Sequence, residues 1–484
     1  MSTRRTGSFV SRGTAAQASE PAFRFIDLFA GVGGFHAALS AYGGQCVYAV
    51  EIDKAAAGVY KQNWGHDPLG DITKDANDEV MNVGSHEILA AGFPCQPFSK
   101  SGAQKGMDET RGTLYWNILR IIQERRPKIV LLENVRNLAG PRHLHEWQII
   151  IETLRDEGYR VSETPAIFSP HLLPPDRGGR PQVRERVFIT ATLIPDSLAD
   201  SPELALDPGP VASISDRVDG WEPKAEWHLE DLLDDSHNIP GCDLTEAERR
   251  WIDAWDEFVQ IMWELREGRR LPGFPLWADS WRDVKDAWKR DKEKVPDVPK
   301  IPSIDPTLPD WKRSHLIKNY EFFAAHHRII RDWAERWGVY TSAFPPSRRK
   351  LEWQAQDTPR LWDAVMHLRP SGIRAKAPNY LPALVAITQT SIVGPRERRL
   401  SPRETARMQG LPDTFVFGDQ RPAATYKQMG NGVNVGVVWH VLREHVRRDE
   451  WLLKHSAEGR RIVDAVLEAP ASPDAILAQH QPKG

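Results

Sequence analysis

The chain has 484 residues, 40% of them hydrophobic and 27% charged, with a formal net charge of −3. This is the composition of an ordinary globular protein with room for two or three domains, and no run approaches the ~20 apolar residues of a membrane span. Three widely spaced cysteines, Cys46, Cys95 and Cys242, exclude a disulfide framework and a metal cluster and fit a reducing, cytoplasmic setting.

Residues 1–20 read as a disordered tail; Arg4-Arg5 lacks the apolar stretch of an export signal. From 21 to 195, strand and helix signals alternate. Strands are expected at Phe23–Phe29, Cys46–Val50, Glu87–Ala91 and Lys128–Leu132, and helices at Phe35–Ala41, Lys54–Asn63 and Leu114–Arg125. Such alternation predicts an α/β fold, a doubly wound and mostly parallel sheet with helices on both faces. From 196 to 395 the rhythm stops, and 13 of the 18 tryptophans fall there. Leu244–Leu271 reads as one amphipathic helix whose stripe of Trp251, Trp255, Phe258, Met262 and Leu265 packs a core. Residues 396–450 regain pattern: Ser401, Pro402 and Glu404 form a capping box, and Gly430–Val435 is expected to open the last helix. Residues 451–484 read as a peripheral helix and tail. Basic runs occur at Lys312-Arg313, Arg328–Arg331, Arg348–Lys350 and Arg396–Arg399, so a near-neutral total does not exclude a nucleic-acid partner.

Ligands of doubly wound sheets bind beyond the carboxyl ends of the strands. Asp27, Glu51, Cys95 and Glu133 all fall at or just past such ends. The glycine loop Gly31-Val32-Gly33-Gly34 leads from strand to helix, with a spacing unlike that of dinucleotide binders. Taken singly, Glu51 and Asp71 read as capping or surface acids; with the glycine loop, Glu51 suits a ribose diol and the set a nucleoside cofactor. Cys95 sits between Pro94 and Pro97, on a loop stiffened by fixed φ angles. A rigid thiol and a nearby carboxylate suit attack on a ring by sulfur. Arg184 and Arg186 alternate along a strand-like stretch and read equally well as a solvated edge.

DLFAGVGGF, EID, GFPCQPFS, ENV, QVRER and QMGNGV occur in that order. On these motifs the chain resembles the C5-cytosine DNA methyltransferases of bacterial restriction–modification systems, over residues 23–190 and 396–440. The resemblance implies a class I, Rossmann-like methyltransferase domain and S-adenosyl-L-methionine as cofactor. Asp27, Phe29, Gly31, Gly33, Gly34, Pro94, Asn431 and Val433 would surround that cofactor. Glu51 would hold its ribose, Ile52 its purine and Asp71 its adenine amine. Cys95 would be the nucleophile, Glu133 would grip the base, and Arg184 and Arg186 would orient the base oxygen, Cys95 or a phosphate. Residues 196–395 would form a target-recognition domain for double-stranded DNA, in a monomer that shares its system with a restriction endonuclease. Ile52 stands where relatives often carry tryptophan, Gly432 where they carry alanine or serine, and the loop Pro174–Gln182 is longer and more basic. An RNA cytosine methyltransferase and a non-catalytic nucleic-acid-binding homologue remain the alternatives.

Overall fold

The computed structural model describes residues 20–94, 113–215, 218–267, 273–291, 301–355, 358–385 and 390–483. The main sheet draws on β1 (Phe23–Leu28), β2 (Gly44–Val50), β3 (Ile88–Gly92), β4 (Ile129–Val135), β5 (Tyr159–Val161), β6 (Ala166–Phe168) and β8 (Arg186–Leu193); the two-residue β7 (Gln182–Val183) precedes β8. The strand order is β2-β1-β3-β4-β8-β5, with β6 also on β8. The β2-β1-β3-β4 half is parallel, while β8 runs antiparallel to β4, β5 and β6. The fold is thus α/β with a parallel half that carries the strand ends of interest.

Successive strand residues face opposite sides. In β3, Ile88 and Ala90 join one core while Leu89 and Ala91 join the other. Burial on both faces explains why these strands read as unbroken apolar runs. One face is covered by α1 (Gly34–Ala41), the other by α4 (Leu114–Arg125) and α5 (Leu144–Asp156); α2 (Lys54–Trp64) and the single turn α3 (Ile72–Asp75) come between.

A second sheet, β15-β14-β11-β12-β10-β9, is built from β9 (Leu276–Trp277), β10 (Lys350–Trp353), β11 (Val365–Arg369), β12 (Gly372–Lys376), β14 (Ile392–Val393) and β15 (Arg398–Arg399). It packs on α6 (Glu246–Leu265), α7 (Ala278–Asp291) and α8 (Asp310–Trp337). Trp255, Trp281 and Trp333 are fully buried there, each against the others. The long amphipathic stretch ends earlier than its pattern predicts: α6 stops at Leu265, which is exposed. β13 (Leu381–Pro382) leaves this region to pair with β7.

The chain returns through α9 (Pro402–Met408), α10 (Pro422–Asn431), α11 (Val435–Arg448) and α12 (Ala457–Leu467). Ser401 and Glu404 form the expected capping box. Gly430 and Asn431 end α10 rather than open the last helix; Asn434 caps α11 through the Val437 amide. Arg403 donates to the carbonyls of Pro412 and Phe415, and Arg407 pairs with Asp234 and Asp413. Ile462, Val463, Val466 and Leu477 join the main core. No helix among the described residues is long and apolar enough to cross a membrane.

Candidate active site

A cavity of about 460 Å³ opens at the carboxyl ends of β1, β2, β3 and β4. One wall starts at Phe29, a non-glycine residue at φ 57°. That left-handed conformation costs on the order of 1–3 kcal/mol and persists only where surrounding structure imposes it. It is imposed here by the turn into Gly31, which is itself at φ 54° with open space where a side chain would stand. The Gly31 amide donates to Glu51 Oε2 at 2.8 Å and the Asp53 amide to Oε1 at 2.7 Å. Each carboxylate oxygen keeps a free lone pair, so Glu51 is fixed in place yet able to accept from a diol. Next to it Ile52 is 73% exposed, a bare apolar side chain on the cavity rim.

Asp71 also lines the cavity. It caps α3, and its Oδ1 takes both the amide and the hydroxyl of Thr73, which hold its carboxyl below the ordinary range. Asn431 and Gly430 close the opposite wall from the end of α10, beside Lys427, which reaches across to Asp53 at 3.0 Å.

Four of the sequence candidates stand behind this wall. Gly33, at φ 94°, lies under Trp64: a Cβ would come 2.1 Å from the indole nitrogen, which donates to the Val32 carbonyl. Gly34 packs against Val433 in the same way, 2.7 Å from where its Cβ would be. Asp27 is wholly buried, and neither oxygen has a hydrogen-bond partner. Burial pushes its carboxyl well above the ordinary range; the nearby His36 amide works against that shift without meeting hydrogen-bond geometry, and the charge of Glu51 adds to it.

The far end of the cavity is formed by β3 and β4. Gly92 pairs in register with Glu133, and a side chain at Gly92 would touch Glu133 Oε2 at 3.5 Å, an ordinary van der Waals contact. Glu133 is buried, with Oε1 3.0 Å from Arg186 Nε. Burial raises its carboxyl pKa, and Arg186 and Arg184 only partly offset this. Asn134 donates to the Phe93 carbonyl at 2.9 Å while its own Oδ1 accepts from Val135. It therefore pins the last residue before Pro94. Pro94 lines the cavity. Cys95 lies outside the described residues.

Arg184 and Arg186 do different things. Arg186 faces the cavity with Glu133. Arg184 is 1% exposed and spends its guanidinium on backbone carbonyls: Nη1 on Leu384 at 3.0 Å, Nη2 on Gly430 at 2.8 Å and Gly432 at 2.6 Å. It ties the catalytic sheet to the end of α10 and to the segment after β13. The basic loop before Gln182 is likewise turned inward, with Arg180 on Asp474 and on the Arg407 carbonyl. Trp64 and Lys427 stand in none of the motifs; Asn134 stands in ENV, but only the fold shows that it tethers Phe93.

The family model for C-5 cytosine-specific DNA methylase matches residues 23–447. Type II methyltransferase M.AluI of Cellulosimicrobium cellulans is 57% identical, over 94% of this chain and 97% of its own. Type II methyltransferase M.HhaI of Haemophilus parahaemolyticus is 44% identical over 34% of this chain and 48% of its own. Type II methyltransferase M.HgiBI of Herpetosiphon aurantiacus is 30% identical over 86% and 95%. A match spanning both the cavity-bearing sheet and the returning helices leaves one assignment: the chain belongs to the C-5 cytosine-specific DNA methylases and is a DNA (cytosine-5) methyltransferase.

Proposed function

We propose that this enzyme transfers the methyl group of S-adenosyl-L-methionine to carbon 5 of a cytosine flipped out of a specific duplex DNA sequence. The reading includes a transient bond between Cys95 and carbon 6, and a role as the modification enzyme of a type II restriction–modification system. The observation that carries it is one cavity lined by Glu51 and Ile52 on one side and by Glu133, Arg186 and Pro94, the residue before Cys95, on the other. The relatives called type II methyltransferases support the biological setting. Residues 196–395 would supply target recognition, and a monomer suffices.

The cavity fits the cofactor on its own terms. An exposed Ile52, a fixed Glu51 carboxylate and Phe29 are the apolar and accepting groups that a purine nucleoside needs. When bound, the cofactor supplies an electrophilic methyl group on a sulfonium. The residues of the chain do the rest. Carbon 5 of cytosine is a weak nucleophile. Addition of the Cys95 thiolate to carbon 6 makes carbon 5 the terminus of an enamine, while Glu133 and Arg186 stabilise the charge that builds on the ring. After methylation, loss of the carbon 5 proton to a base expels the thiolate and restores the ring. The target must leave the helix first, at a cost of a few kcal/mol, because carbon 6 is inaccessible in a stacked pair.

Labelled cofactor offered with duplex DNA and, separately, with tRNA tests the reading. Label in 5-methylcytosine of the duplex is expected; label confined to tRNA, or to neither, overturns it. Glu51→Gln should raise the dissociation constant of S-adenosylhomocysteine about 10- to 100-fold by calorimetry, since an amide nitrogen would face the Gly31 or Asp53 amide and one acceptor would be lost. Affinity for duplex DNA should stay within about threefold.

A further inference from the structure

The six-stranded sheet has two unlike faces. On one, Leu351, Trp353, Met366, Leu368, Ile373 and Ala375 pack into the tryptophan core. On the other, strand alternation lines up Lys350 and Glu352 of β10, Arg374 and Lys376 of β12, and His367 and Arg369 of β11. The register makes them neighbours: Glu352 sits beside Arg374, Arg374 beside His367, and Lys376 beside Val365. Val365 and its partner Val393 belong to the core of the catalytic body. The cationic face is therefore the one turned toward that body, and the cations extend outward from the point where the two meet.

The charges on this face do not balance. Glu352 pairs with Arg374 at 2.5 Å. Among the described residues, neither Arg369 nor Lys376 closes an ion pair of its own; Glu352, already paired with Arg374, acts on Arg369 only as a more distant charge. Both are half-buried, and burial together with the neighbouring Arg374 lowers the pKa of each; Arg369 also lowers that of Lys376. Like charges held this close and partly out of water, with one carboxylate among them already taken by Arg374, disfavour one another. An arriving anion would relieve that.

Resting on the duplex-DNA reading above, we propose that Arg369 and Lys376, with Arg374 and Lys350 beside them, hold the phosphate backbone of the DNA and position the duplex against the catalytic body. Such contacts fix register without reading sequence. Lys376 is well placed for this, since the chain passes from it within five residues to β13, and the Leu384 carbonyl is held by Arg184.

The test is the double variant Arg369→Gln, Lys376→Gln in the full-length enzyme, with short duplexes that do and do not contain the target sequence. Loss of two phosphate contacts should weaken both duplexes alike, about 10-fold or more near 0.15 M salt, and flatten the slope of log K against log salt by about 1–2. Affinity for S-adenosylhomocysteine and the rate at saturating DNA should be unchanged. An unaltered salt slope overturns the proposal, and so does a loss confined to the target duplex. A parent enzyme that binds no duplex at all instead overturns the function proposed above. A fall in cofactor affinity matching the fall in DNA affinity would mean that the residues only hold the fold, and would also overturn the proposal.

Discussion

Cys95→Ser should abolish methyl transfer, lowering the rate by at least about 10⁴-fold, the scale on which enzymes lose a covalent nucleophile, while cofactor and duplex DNA still bind. A hydroxyl is far harder to ionise than a thiol and a poorer partner for a soft ring carbon. Gly92 is fixed opposite Glu133, and Asn134 holds the Phe93 carbonyl. Three residues span at most about 11 Å, so the Cys95 backbone cannot be farther than that from Gly92. Duplex DNA carrying 5-fluorocytosine at the target isolates the step. Fluorine cannot leave carbon 5 as a proton does, so the adduct is trapped after methylation and shifts in a denaturing gel. The parent enzyme should give the shifted band only with cofactor present, and Cys95→Ser should give none. An adduct in the variant, or none in the parent, would falsify a covalent mechanism through Cys95.

β1, β3 and β4 of the parallel half were legible because both their faces are buried. Strands such as Ile88–Gly92 show as apolar runs bounded by turns, and Leu114–Arg125 shows as a helix with a clear apolar stripe. The antiparallel half was less so, since β5 and β6 are three residues long, too short to show a period. The site was legible in its identities and less so in its directions. Gly33, Gly34, Asp27 and Val433 share a motif with Gly31 or Asn431 yet stand behind the cavity wall, because sequence neighbours in a turn point different ways. Arg184 and Arg186 alternate as residues on one strand face should. Instead the chain breaks from β7 to β8 between them, and one guanidinium goes to backbone carbonyls while the other goes to Glu133. The second sheet was invisible for a related reason. Its strands are only two to five residues long, and Leu276 of β9 finds its partner Leu351 of β10 far along the chain, a pairing no local pattern records.

Glu133→Gln should lower the methylation rate by about 10²–10⁴-fold, the range expected for a group that exchanges or shares a proton in the transition state, with little change in cofactor affinity. The amide keeps the shape and one acceptor, but it cannot carry the charge that steadies the adduct or give up a proton to the ring nitrogen. Stability should move independently of activity. Burial raises the Glu133 carboxyl above its ordinary value despite Arg186 and Arg184. For an acid shifted that way, the folded state binds its proton more tightly than the unfolded one, so ionisation penalises folding. The penalty is absent below the unfolded pKa, grows as pH rises through the carboxyl range, and is complete above the raised folded value. The melting temperature of Glu133→Gln, relative to the parent, should therefore increase from acid toward neutral pH and then level off. A difference that shrank over that interval would mean that the arginines outweigh burial, and that the carboxylate is held charged by Arg186 before any base arrives.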